Sequence, residues 1–135
     1  MTIAGPRFLL VDDHALFRMG LGLMLAERWP QAALPQLALG NVNAAQRRWL
    51  VAVEAYSRAL ALEADGITLN NRAHALAELG CPSHAEADLA RALDQKPAPG
   101  LAASLERTRT RVKADLAAGG GKQCPAPVLA ALTTP

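Results

Sequence analysis

The spacing of apolar positions changes along the chain, and each change marks an element. Phe8, Leu9, Leu10 and Val11 form a short continuous apolar run that ends at Asp12 and Asp13, which predicts a short extended segment. From residue 15 to 29 the period becomes helical. Leu16, Met19, Leu23 and Ala26 recur at steps of three and four, which places them on one helix face, and Pro30 ends that helix. No second β-branched run bounded by turns follows. Leu37, Leu39 and Val42 predict a short helix. Residues 49–64 predict a longer one, with Leu50, Val53, Ser57, Leu60 and Ala61 on one stripe and Ala52, Tyr56 and Ala59 on another. Asp65 stands where it caps the next helix, over residues 67–79, and Gly80 stands at that helix's C′ position. Ser83 and Glu86 have capping-box spacing ahead of the stripe Ala85, Leu89, Ala92 and Leu93, which Pro97 and Pro99 terminate. Leu101, Leu105, Val112 and Leu116, with Thr108, line a fifth helix that the glycines at 119–121 close. The remainder, rich in Ala and Pro, is expected to be a flexible tail.

Segments 33–65 and 66–99 can be superposed. Ala52, Tyr56 and Ala59 correspond in order to Ala85, Leu89 and Ala92, all at one constant offset. Small residues at such sites let two helices approach closely while the larger residue fills the hole between hairpins. This pattern resembles the tetratricopeptide repeat. The second segment carries Leu69, Ala73, Leu76, Gly80, Ala85, Leu89, Ala92 and Pro97 in the family's order. The first carries Leu39-Gly40, Trp49, Ala52, Tyr56 and Ala59, with Ala64 where Pro is usual and Arg47 where the turn glycine is usual. The resemblance implies an all-α fold of stacked antiparallel helical hairpins, two repeats plus a capping helix over residues 31–118. This domain would lie between an N-terminal segment (1–30), with an extended stretch and a helix, and a flexible tail (119–135). The resemblance further implies a concave groove that receives a peptide or helix, with Asn41, Asn70, Asn71, His74 and Glu78 pointing into it. One subfamily captures C-terminal carboxylates with Asn and basic residues. Asn41 and Asn71 fall on two of those places, but Leu37, Leu101 and Leu105 occupy the basic ones. Two-repeat arrays have open ends, which leaves room for a homodimer.

Residues 7–29 resemble the opening of a bacterial response-regulator receiver domain. In that family an apolar first strand delivers two acidic residues that bind Mg²⁺ beside a phosphorylated Asp. Asp12 and Asp13 would be that pair, so the alternative reading is a remnant of a phosphorelay receiver, with Mg²⁺ as its only implied cofactor. The resemblance stops at residue 29. Where the acceptor strand would end, the chain reads Glu54-Ala55-Tyr56-Ser57-Arg58 inside a helical pattern.

Composition narrows the rest. The chain has 135 residues, 51% hydrophobic and 4% aromatic, which excludes a fully disordered chain and favours helices packing through Ala and Leu. No window approaches a membrane span, and no export signal is read, so the expected compartment is the cytoplasm. Cys81 and Cys124 are then expected as free thiols in a reducing cytosol. A net charge of +2 does not argue for nucleic acid, and the stripe Arg107, Arg109, Arg111 and Lys113 reads as a solvated face. Cys81 and His84 lack the further ligands a zinc site needs. His14, His74 and His84 have no nucleophile or acid partner, and the glycines before Lys122 do not form a phosphate loop. The expectation is a non-enzymatic module without a cofactor, with a protein or peptide as partner.

Overall fold

The computed structural model describes residues 17–18, 20–21, 23–25, 27–29, 32–120 and 123–133. Among them there is no strand. Residues 17, 18, 20, 21, 23–25, 27 and 28 are helical, and among the described residues six helices follow: α1 (Ala33–Ala45), α2 (Trp49–Leu62), α3 (Gly66–Glu78), α4 (Pro82–Asp94), α5 (Pro99–Ala117) and α6 (Ala126–Leu132). The expected all-α class is what the structure shows. The expected extended segment at residues 8–11 lies outside the described residues. Leu21 and Leu25 border a cleft against Ala38, Asn41, Val42 and Ala45 of α1, while Leu23, expected on the apolar face of this segment, is exposed, as are Leu21, Phe17 and Met24.

Helix starts repeat with a fixed interval. Ala33, Gly66 and Pro99 begin α1, α3 and α5, and the step from each to the next is the same. Trp49 and Pro82 begin α2 and α4 at that same step. Helix ends repeat as well. In α1 the Arg47 N–H donates to the Ala44 carbonyl and the Arg48 N–H to that of Asn43, both at 2.9 Å. In α3 the Gly80 N–H donates to Ala77 and the Cys81 N–H to Leu76, and in α5 the Gly119 N–H donates to Leu116 and the Gly120 N–H to Asp115. All three are Schellman closures, and their C′ residues Arg47, Gly80 and Gly119 have φ of 59°, 78° and 79°. The missing turn glycine therefore leaves the turn unchanged: Arg47 adopts the left-handed conformation at a steric cost that glycine escapes. The third closure falls later in its unit than the other two because α5 has 19 residues where α1 and α3 have 13.

Packing follows the small and large pattern. α1 packs on α2, α3 on α4, α2 on α3, and α5 on both α4 and α3. Ala52, Ala59, Ala85 and Ala92 are fully buried, as the stripes require, together with Leu69, Leu76, Leu89, Leu105 and Val112. Gly40 lies against the Tyr56 ring so closely that a Cβ there would overlap the ring carbons. One repeat further on, the same two positions hold Ala73 and Leu89, both fully buried: a larger small residue facing a smaller large one. Asp65 caps α3 as expected, its carboxylate accepting from the Thr68 N–H at 3.1 Å. The Ser83–Glu86 capping box does not form. Pro82 occupies the first turn of α4, where its fixed φ fits and its missing N–H costs nothing, so the N-cap is Cys81 and Ser83 lies inside the helix.

The C-terminal segment is not a flexible tail. Helix α6 packs on α2 and buries Val128 and Ala131, and Cys124 just before it forms a disulfide with Cys81 in the α3–α4 turn. The expectation of two free thiols is corrected accordingly. Seven residues are too few for an independent helix, so α6 depends on its packing against α2 and on the covalent tie at Cys124.

Two substitutions separate the steric terms. Gly40→Ala should destabilise the protein by about 1–3 kcal/mol, because the ring and helix must move apart. Arg47→Gly should raise stability by a few tenths to about 1 kcal/mol by relieving the left-handed arginine. Denaturant unfolding of each variant checks both signs.

Candidate functional site

The first helices of the successive pairs converge on one cleft. Asn41 and Ala44 of α1, Tyr56 of α2, Asn70, Asn71 and His74 of α3 and Thr108 of α5 line a cavity of about 300 Å³. The tetratricopeptide resemblance implies one groove for Asn41, Asn70, Asn71, His74 and Glu78, and the structure places the first four on one cleft. Glu78, one turn beyond His74, does not line the cleft. Its carboxylate is paired with Arg111 on α5 at 2.8 Å. The Arg107–Lys113 stripe is likewise not wholly solvated, since Arg109 pairs with Glu86 on α4 at 2.8 Å. Glu86 therefore holds α5 to α4 instead of capping its own helix.

The cleft is built around amides. Asn41 Oδ1 accepts from the Tyr56 hydroxyl and from Asn71 Nδ2, both at 2.9 Å, so three helices meet at one oxygen. Asn70 Nδ2 donates to Ser104 Oγ on α5 at 3.4 Å, and its buried Oδ1 has no partner among the described residues. That atom is an acceptor held away from bulk water, which costs about 1–3 kcal/mol until a donor reaches it. The exposed His74 ring meets Trp49 edge-on, with centroids 5.6 Å apart. Sequence spacing marks Tyr56 and Thr108 as packing residues and does not single out Ala44. The signal that could have placed Tyr56 here is its amphipathic side chain, with the ring against Gly40 and the hydroxyl at the wet end.

A second polar feature lies inside the fold. Arg72 of α3 donates from Nε and Nη2 to the two carboxylate oxygens of Asp88 on α4, each at 2.7 Å, and from Nη1 to Ser57 Oγ on α2 at 3.1 Å. All three residues are buried. The fork geometry is bidentate, and it ties α3 to both flanking helices.

Asp12 and Asp13, the candidate Mg²⁺ pair, lie outside the described residues, and residues 54–58, where a receiver's acceptor strand would end, lie in α2, as their helical pattern predicts. Among the described residues no three His, Cys, Asp or Glu side chains come together to hold a metal. No helix among them is long and apolar enough to cross a membrane.

Breaking the internal ion pair has a distinct signature. Asp88→Asn or Arg72→Met should each cost about 3–5 kcal/mol because one charge stays buried alone, whereas replacing both with Leu should recover most of that loss. A double-mutant unfolding cycle measures it. Burial pushes the Tyr56 phenol well above its ordinary value. The folded state therefore prefers the protonated phenol. Its contribution is complete below the unfolded value of about 10 and is lost as pH rises beyond it. Wild type should lose stability above pH 10 more steeply than Tyr56→Phe in thermal melts at stepped pH.

No family model, curated protein or solved structure matches this chain.

Proposed function

We propose that this chain is a non-enzymatic, tetratricopeptide-like interaction module that binds an extended peptide or a helix of a protein partner in the amide-lined cleft. The observation that carries this reading is the constant interval between the starts of α1, α3 and α5, which sets one cleft across the first helix of each pair. Repeated hairpins stacked in register present such a surface by construction. The chemistry of the lining supports it. Asn70 and Asn71 offer successive amides, and the exposed His74 ring, held edge-on against Trp49, adds an aromatic donor and acceptor.

The lining carries no Lys or Arg, so a neutral peptide backbone suits it better than a terminal carboxylate. In this reading α5 is the capping element over α3 and α4, fixed by Arg109–Glu86 and Arg111–Glu78.

The test uses a displayed library of random short peptides selected on the full chain. Selected peptides should lose at least tenfold in affinity to an Asn71→Ala, His74→Ala double variant of unchanged melting temperature. Retained affinity in that variant, or no enrichment over an unrelated helical protein, would refute the reading.

A further inference from the structure

We infer that the Cys81–Cys124 disulfide is a redox latch: reduction releases α6 from α2 and widens the cleft through which water approaches Arg72 and Ser57. The inference stands on four observations and does not depend on the peptide cleft. The bond joins a rigid anchor to a weak element. Cys81 sits in the α3–α4 turn, its N–H held by the Leu76 carbonyl at 2.9 Å, whereas Cys124 precedes a helix of seven residues. The bond spans 43 positions of sequence and encloses all of α4 and α5, so no short-range contact replaces it when it opens. Helix α5 closes at Gly119 and Gly120, ahead of Cys124, so α6 is not continuous with any helix that would hold it in place after release. The far end of α6 also covers something specific. Leu132 and Thr133 form one wall of a cleft whose other wall is Ser57, Leu60, Ala61, Arg72 and Arg91, so the helix end narrows the approach to the Arg72 guanidinium.

The chemistry balances with a dithiol reductant. One of its thiolates attacks Cys124 Sγ, which belongs to the more accessible cysteine, 8% exposed against 1% for Cys81. The S–S bond breaks and Cys81 leaves as a thiolate that takes up a proton. The reductant's second thiol then displaces Cys124, which takes the second proton. Two electrons and two protons pass to the protein, and the reductant ends as a disulfide. Without the tether, α6 has too little buried apolar surface to stay docked. Water then approaches Arg72 and Ser57 and weakens the attraction of Arg72 for Asp88, so the redox state is transmitted to the joint between α2, α3 and α4.

The test is hydrogen exchange on the full-length chain, oxidised and then reduced with dithiothreitol, with a Cys81→Ser, Cys124→Ser double variant in parallel. Alkylation mass spectrometry establishes the thiol state first. Reduction should raise amide exchange across residues 126–132 by at least tenfold, with a smaller rise over 57–61 and none at the α1 closure. The double variant should match the reduced wild type. Three results would overturn the proposal: unchanged protection of α6 on reduction, loss of helix throughout the protein, or two free thiols in air-oxidised chain. The first makes the bond redundant, the second makes it a staple for the whole fold, and the third removes it. Wild type under dithiothreitol decides the matter even where the double variant does not fold.

Discussion

A guanidinium shared by Asp88 and Ser57 is the contact on which the arrangement of helices depends. Arg72 projects from α3, which packs against both α2 and α4, and its three bonded nitrogens reach α4 on one side and α2 on the other. Apolar packing between Ala-rich helices is forgiving about register, because small side chains slide past one another with little loss. A bidentate ion pair is not forgiving. Moving α4 by one residue would leave two charges buried without partners, at a cost of about 3–5 kcal/mol. The pair therefore adds a register penalty to the steric fit of the apolar faces.

Around that joint the chain repeats its own solution. The same Schellman closure ends α1, α3 and α5, and α4 begins as far after α2 as α3 begins after α1. Because helix ends are fixed by backbone bonds, the first helices present the same face in each unit. That is how Asn41 and His74, one repeat interval apart, come to line one cleft, with Thr108 of the longer α5 beside them. The extension of α5 breaks the pattern after the third such helix. The chain then returns to α2 through α6, and the Cys81–Cys124 bond fixes where it lands.

Much of this is legible in the sequence because it is local. Asp65, Gly80 and the alanine stripes report on their own turn or face, so propensity and spacing suffice. The cleft asparagines are legible only through the resemblance to a repeat family, whose register assigns them to a groove. What the sequence hides is non-local. Arg72 and Asp88 each look like an ordinary solvated charge until α3 and α4 are placed together. Glu86 looks like a cap until Arg109 arrives from α5. Segment 126–132 is too short for its period to be read, and it is ordered by a bond to a residue 43 positions away from its own cysteine. Ser83 misleads for a local reason: Pro82 beside it is the better helix starter.

The cleft and the latch draw on different helices around this joint, the first lined mainly by α1, α3 and α5 and the second seated between α2 and α6. The account rests on Arg72 being locked between them. The most direct measurement is the nuclear magnetic resonance signal of the Arg72 Nε–H in the oxidised chain. It should exchange slowly with water and show cross-relaxation to Ser57 side-chain protons. An Arg72 signal that exchanges as fast as that of exposed Arg107, with no contact to Ser57, would contradict the account.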